Sequence, residues 1–563
     1  MDAEPPKDGA DSPHIGTLLK FLPAILFLVA LGLRLAGIGW GLPNDLHNQS
    51  YHPDEQVIWA YSQQIEPAKG KFTPGFYNYG TLYLTVLRVA SDVVAGYGAA
   101  PKANDPQSMW SYMGACHLAG RWISALSGAA AVVFVFLMLR RFTNEFGAAA
   151  GALLLAFAPS FLVHSRFQTV DVFATILLAA SFWFSLRVLD DVNPFKCALW
   201  AGAFAGLSAG TKYTGALALL PLIYVVLARA KSDGSAGLAR TLGAAVGVFF
   251  FTFIVATPGA LLESDKFLRD FKYEMLHTST GHGLVFEGVG SGFLFHIGNL
   301  MQGVGPLGVL LGVGGLVWAV SRKAKWALAL VAFALPYYFL IGRAEVLFMR
   351  YTFPLIVVLA VAFGWLVGEA HARKGKHIAT AVGGILALGM ALYIGLGFTA
   401  WMVQEEPRDK LAKEFKQRGG SVGIGTDPWF YTPPLIPDSA IMRGQLALQV
   451  EEMRSATPPL VRFFPEDPAQ RQDWDVRLLT ELKPEYVVMS NLELAHVVRL
   501  SDTSGKYPPV DAFKTFHAEL EKLYEPLGQS TSGPIKVRYR AAMLLVEDMA
   551  YTRPVYWIWK RKP

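Results

Sequence analysis

The chain has 563 residues, of which 53% are hydrophobic and only 17% charged, with a formal net charge of +6. That charge content is well below the roughly 25% of soluble domains, and several apolar blocks exceed about 18 residues; together these exclude an ordinary soluble globule and indicate a polytopic α-helical membrane protein. The Lys and Arg residues lie between the apolar blocks, so the net charge is no nucleic-acid signature, and Cys116 and Cys197 stand in separate segments with neither a disulfide framework nor a zinc knuckle.

Residues 1–17 are polar and proline-rich and are expected to be a disordered cytoplasmic tail. Lys20 then introduces an apolar run at 18–41 with no small-residue cleavage site behind it, the pattern of an uncleaved first span. A mixed outer loop at 44–116 follows. Within it, residues 81–99 carry Arg88 and Asp92 and are expected to lie along the interface as an amphipathic helix. Further spans are expected near 117–139, 146–163, 171–189, 241–258, 298–320, 325–341, 353–369 and 378–400. Residues 197–228 are too short to cross twice at about 20 residues per crossing, and are broken at Gly210-Thr211-Lys212-Tyr213-Thr214-Gly215. They are expected to form a hairpin turning inside the membrane, its tip buried in protein or lining a wet cavity. Counted as two short helices, the hairpin brings the total to about eleven.

The basic connections Arg140-Arg141, Arg187 with Lys196, Arg229 with Lys231, Arg322-Lys323 with Lys325, and Arg373-Lys374 with Lys376 all share one side if that hairpin goes in and returns. The N-terminus is then cytoplasmic, and the loops at 44–116 and 259–297 and everything after 400 are outside. Residues 401–563 have the texture of a soluble α/β domain. Helices are expected at 407–417, closed by Gly419-Gly420, and at 510–523, and strands at 421–425, 486–489 and 555–559.

Against that orientation, several charges are out of place. Tyr51-His52-Pro53-Asp54-Glu55-Gln56 sets two carboxylates beside the outer end of the first span, while Arg34, Arg166, Lys212, Arg343 and Arg350 lie inside spans or on the outer side. Cations in such positions are expensive and mark an anion, a partner or a pathway. Pairing with Asp171 or Glu345, or snorkelling to headgroups, is the bland alternative. A lipid-borne phosphate fits the outer cluster, because it sits at headgroup depth and Arg grips it with a planar fork. Adjacent residues on one element face different ways, so only one of Asp54 and Glu55 is expected to enter a given cavity. His52 beside two carboxylates is a weak metal pattern, and neither a metal nor another cofactor is indicated. His282, flanked by Gly281 and Gly283 in the loop 259–297, is a candidate for touching substrate, as are Tyr79, Asp171 and Tyr213.

An ordered set of motifs carries a resemblance. Arg34 precedes Asp54-Glu55 by about twenty residues; Phe76-Tyr77-Asn78-Tyr79-Gly80-Thr81-Leu82-Tyr83, Gly120-Arg121, His164-Ser165-Arg166 with Asp171, the hairpin 206–215 and Arg350-Tyr351 follow in order. Over residues 18–400 the chain resembles the GT-C membrane glycosyltransferases of the PMT and ArnT-like kind (glycosyltransferase family 39). The resemblance implies a GT-C transmembrane domain and a metal-independent, inverting transfer of a sugar from a polyprenyl phosphate, undecaprenyl or dolichyl in type, to a lipid, glycan or protein hydroxyl at the outer face of a cell (inner) membrane. It implies Asp54 as general base, with Glu55 the other catalytic carboxylate, and Arg166, Lys212 and Arg350, together with Arg34, as the residues that hold the carrier phosphate. The β-hairpin repeat domain of the PMT branch and the Trp-Trp-Asp motif of oligosaccharyltransferases are not found in the sequence. A lipid or sugar transporter or flippase, with Arg34, Arg166 and Lys212 along its path, is the alternative; the absence of an internal repeat and the large outer domain speak against it.

Overall fold

A computed structural model describes residues 13–96, 100, 102, 105–233, 237–373, 378–435, 455–463, 470, 472–503, 505–527 and 534–563. Most of the expected tail (1–12), the end of the expected interfacial helix (97–99) and Lys374 and Lys376 therefore lie outside the described residues. Helix α1 already begins at Pro13 and runs to Leu35, where left-handed Gly37 and Gly41 turn the chain. The loop after α1 carries α2 (Pro53–Ser62) and α3 (Leu82–Ala95), the latter at the place of the expected amphipathic helix, with Arg88 paired to Asp92 at 3.0 Å.

The membrane-type helices follow: α4 (Pro106–Leu139), α5 (Glu145–Phe157) with its short continuation α6 (Pro159–His164), α7 (Val170–Arg187), α8 (Pro194–Ala209), α9 (Leu219–Asp233) and α10 (Leu238–Ala256). The loop after α10 holds α11 (Gly259–Leu262) and α12 (Ser264–Thr280), and then come α13 (Gly292–Val304), α14 (Pro306–Ser321), α15 (Lys325–Gly342), α16 (Phe353–Ala372) and α17 (Ile378–Val403). Among the described residues seven helical stretches are long and apolar enough to cross a membrane, and α13 with α14 forms a further pair bent by 112°. The sequence-based count of eleven also included α1, the hairpin's first arm α8, and the short α5.

Packing follows the small residues. Helices α5 and α16 each carry glycines four apart, Gly147 and Gly151 against Gly364 and Gly368, and a Cβ on Gly147 would stand 2.6 Å from the Gly364 carbonyl oxygen. Removing side chains there lets the two backbones touch, which is how helices associate when lipid gives no hydrophobic drive. The break in the hairpin falls at 210–212, between α8 and a 3-10 turn at Tyr213–Ala218 that leads into α9.

After α18 (Pro407–Arg418) the chain builds a five-stranded sheet from β1 (Val422–Ile424), β2 (Leu460–Val461), β3 (Tyr486–Ser490), β4 (Tyr524–Leu527) and β5 (Tyr556–Arg561). The strand order is β2-β1-β3-β5-β4, with β1 parallel to β2 and β3, and β5 antiparallel to β3 and β4. Helices α19 (Asn491–Arg499), entered through a capping box between Ser490 and Glu493, and α20 (Pro508–Leu523) bury Val497, Phe513 and Phe516 with Val487, Met489 and Trp474. The expected α/β domain is thus present; the two-residue β2 and the Pro-containing β4 carried no strand signal.

Candidate active site

Helix α2 starts on cue: Pro53 occupies the first turn and the His52 ring nitrogen Nδ1 accepts the Asp54 amide at 3.3 Å. Both carboxylates sit in that first turn, where the helix dipole favours negative charge. They then part. Glu55 is fully buried, and its oxygens take Arg121 Nε and Nη2 at 2.9 and 2.8 Å, the Gln168 amide at 2.7 Å and the Ser50 hydroxyl. Burial alone would raise its pKa, but the Arg121 guanidinium outweighs that and holds it at about 2. A carboxylate with every lone pair engaged is a strut joining α2 to α4 and the turn before α7. Glu55 was a candidate catalytic group; both its oxygens are taken up by groups of the fold.

Asp54 faces the other way, with its side chain 30% exposed, and its Oδ2 lies 3.2 Å from Arg350 Nη2. Arg350 is the hub. Its Nε is 3.7 Å from Asp171 Oδ2, its Nη1 is 3.7 Å from Asp548 Oδ2, and its guanidinium lies 3.9 Å over the Phe348 ring. Asp171 at the start of α7 also takes Lys212 Nζ at 2.6 Å, and that ammonium stands 4.3 Å from the centre of the Tyr351 ring. The hairpin tip, the start of α7, the turn before α16 and the start of α2 thus converge through Asp54, Arg350, Asp171 and Lys212. Arg350, Asp171 and Lys212 line a small cavity together with the polar Thr175, Ser208, Thr214 and Tyr337 and the apolar Ala174, Leu178, Phe333 and Pro354.

The aromatic segment 76–83 of the loop between α1 and α4 is stitched to the hairpin tip. The Gly80 amide donates to the Thr211 carbonyl at 3.2 Å and the Leu82 amide to the Gly210 carbonyl at 3.1 Å, an approach so close that a Cβ on Gly80 would fall 2.0 Å from the Gly210 oxygen. The Tyr213 hydroxyl is placed against the Tyr77 and Tyr79 carbonyls, at 2.6 and 3.1 Å. Tyr213 therefore fixes the loop that carries Tyr79. Burial, then the nearby Asp54 charge, pushes the Tyr79 phenol well above its ordinary pKa. His282 packs its ring 5.8 Å from Phe348, on which Arg350 lies, and burial with the neighbouring His277 and Arg350 holds it below the usual imidazole value.

Two of the expected phosphate ligands are elsewhere. Arg34 donates to the Ser165 hydroxyl at 3.1 Å and to the Ala30 and Ala156 carbonyls at 3.0 and 3.5 Å. Arg166 donates to the Leu33 carbonyl at 2.6 Å and the Thr399 hydroxyl at 2.7 Å, and touches Met402. Both are fully buried, and among the described residues neither meets a carboxylate within 4 Å. The Leu33 and Ala156 carbonyls lie in the last turns of α1 and α5, where carbonyls lack helical partners and the dipole end is negative, and the Thr399 hydroxyl lies near the end of α17. Arg34 Nη2 and Arg166 Nε have no hydrogen-bond partner among the described residues. Arg343 is exposed over the Phe339 ring, 5.2 Å away, and also stands outside the cluster.

Three residues at the site had no reading from sequence. Arg121 was a landmark without a role. Glu274 on α12 stands near Lys212 and Arg350, accepts from Asn78, and has its pKa raised by burial. Asp548, in a four-residue helix α21 (Glu547–Ala550) of the C-terminal domain, is fully buried against Arg350 and carries no motif at all. Among the described residues no group of three or more His, Cys, Asp or Glu is disposed to hold a metal ion.

Residues 110–258, about a quarter of the chain, match the family model described as dolichyl-phosphate-mannose-protein mannosyltransferase, a segment that includes Arg121, Arg166, Asp171 and Lys212. No curated protein sequence matches the chain. Among solved structures, the apo form of ArnT from Cupriavidus metallidurans is similar over 88% of this chain and 96% of its own, at 17% identity and a TM-score of 0.50. The archaeal oligosaccharyltransferase AglB from Archaeoglobus fulgidus, in complex with an inhibitory peptide and a dolichol-phosphate, is similar over 92% of this chain and 73% of its own, at 12% identity and a TM-score of 0.50. Fold and motif order agree: the chain has the architecture of the GT-C membrane glycosyltransferases and resembles their PMT and ArnT-like kind.

Proposed function

We propose that the protein transfers a sugar from a polyprenyl phosphate to an acceptor hydroxyl at the outer face of the cell membrane, with inversion and with Asp54 as general base. The observation that carries this reading is the ion-paired chain Asp54–Arg350–Asp171–Lys212, which links a partly exposed carboxylate to two cations that line a cavity of mixed polar and apolar residues. Two cations linked to a carboxylate suit an anionic donor, and a dolichol-phosphate is bound by the similarly folded AglB.

Lys212 and Arg350 meet the donor phosphate, drawing Arg350 from Asp54. The freed carboxylate takes the proton of the acceptor hydroxyl as its oxygen forms a bond to the anomeric carbon from the face opposite the phosphate. The carbon–oxygen bond to phosphate breaks, its electron pair staying on the carrier. Negative charge grows on the leaving phosphate during that step, so cations beside it favour the transition state over the ground state. Removal of the proton by a positioned base is worth about 10²–10⁴-fold. Glu55 has no free lone pair for this work.

The N-terminus is cytoplasmic in this reading, and Asp54 and the C-terminal domain are periplasmic or extracellular. The test is release of bare carrier from a panel of polyprenyl-phosphate sugars by purified protein. Asp54→Asn is expected to abolish release while leaving the melting temperature close to wild type. Turnover by that variant removes Asp54 from the role, and a wild type inert toward every donor overturns the function.

A further inference from the structure

We propose that Asp548 of the C-terminal domain is a positioning residue for the donor-phosphate site, acting through Arg350; this rests on the function proposed above. The two oxygens of its carboxylate accept the Met349 and Arg350 backbone amides, at 3.1 Å each. Those amides belong to the 3-10 turn Met349–Thr352 that opens α16, where the first N–H groups of a helix have no partner of their own. No side chain within the turn or at its N-cap residue Phe348 supplies such a bond. Asp548 supplies it from a residue 198 positions later in the chain, and places a negative charge on the positive end of the helix.

The same carboxylate has a second effect. Its Oδ2 lies 3.7 Å from Arg350 Nη1 and 3.6 Å from His164 Nε2. The guanidinium is thereby held from three sides, by Asp548, Asp171 and Asp54. Of these, Asp548 alone also fixes the backbone from which the guanidinium projects. Its surroundings are closed: Met549, Ala550 and Tyr551 pack with Trp40, Phe167 and Met349 in one apolar cluster. Asp548 has no exposed surface and does not line the cavity, so it shapes the site without touching the donor. The soluble domain is on this account part of the machinery and not an appendage.

The test compares full-length wild type with Asp548→Asn and Asp548→Glu in nanodiscs. Asn keeps the shape but presents an amide N–H to one of the two backbone donors; Glu keeps the charge and displaces the turn. Three quantities are measured on the folded fraction: the dissociation constant for undecaprenyl phosphate alone, the donor KM and kcat, and the melting temperature. Asp548→Asn is expected to weaken carrier binding and raise donor KM about tenfold or more, since misplacement by about 1 Å can cost 10²-fold. Asp548→Glu is expected to fall between it and wild type. A merely structural role would lower yield and melting temperature while leaving the folded fraction with a wild-type KM. Carrier affinity and KM within twofold of wild type in both variants overturn the proposal; if only Asp548→Glu folds, its values decide. A wild type that turns over no donor defeats the proposed function, whereas binding of undecaprenyl phosphate still decides the role of Asp548.

Discussion

Breaking the Glu55–Arg121 pair is expected to destabilise the loop between α1 and α4, not to slow chemistry. Arg121→Met removes two donors from a carboxylate with no exposed surface, leaving it the Gln168 amide and the Ser50 hydroxyl. Holding Glu55 at about 2 against an ordinary 4.5 corresponds to about 3 kcal/mol at 1.36 kcal/mol per pKa unit. Loss of one partner of a buried pair costs about 3–5 kcal/mol by independent measure, so the two estimates agree. The double variant Glu55→Gln with Arg121→Met removes both charges and is expected to recover most of that loss. The assay is thermal unfolding in nanodiscs at a fixed scan rate. The pH dependence has a definite sign. A depressed carboxylate pKa stabilises above the unfolded value, so the contribution is whole above about pH 4.5 and is lost as pH falls toward 2. An Arg121→Met protein that melts with wild type, or a double variant no better than the worse single, would refute the assignment of Glu55 as a strut.

Lys212→Ala leaves Asp171 with only the more distant Arg350, and is expected to weaken carrier binding about tenfold, or about 1.4 kcal/mol, read as the dissociation constant for undecaprenyl phosphate. Arg166→Met removes the donor to the Leu33 carbonyl of α1 and the Thr399 hydroxyl of α17, and is expected to lower stability by about 1–3 kcal/mol with donor KM unchanged; a raised KM without loss of stability would return Arg166 to the phosphate. Gly80→Ala drives a methyl into the Gly210 carbonyl, and is expected to cost about 1–3 kcal/mol and to expose the loop 76–82 to protease.

Much of the fold was legible because its cause is local. Long apolar blocks specify spans, Gly210-Thr211-Lys212 breaks a helix wherever it is placed, and Pro407 with Gly419 brackets α18. The meeting of Lys212 with Asp171 was among the pairings open from sequence, since a buried cation in lipid demands a carboxylate or an anion. What could not be read depends on which ends meet in space. Arg34 and Arg166 looked like an anion site because nothing in the sequence says that three helices end beside them. Asp54 and Glu55 are indistinguishable as neighbours, and only the position of Arg121 on α4 separates them. Asp548 stands in a four-residue helix with ordinary neighbours, and its contact is made across 198 residues.

The cap on α16 has a consequence for biogenesis. During synthesis the turn bearing Arg350 is made 198 residues before Asp548. Until Asp548 has been added and has reached that turn, two amides at the head of α16 lack the acceptor it supplies, and the guanidinium beside them has one counter-ion fewer. Assembly of the charged centre therefore trails the making of the helix that carries it.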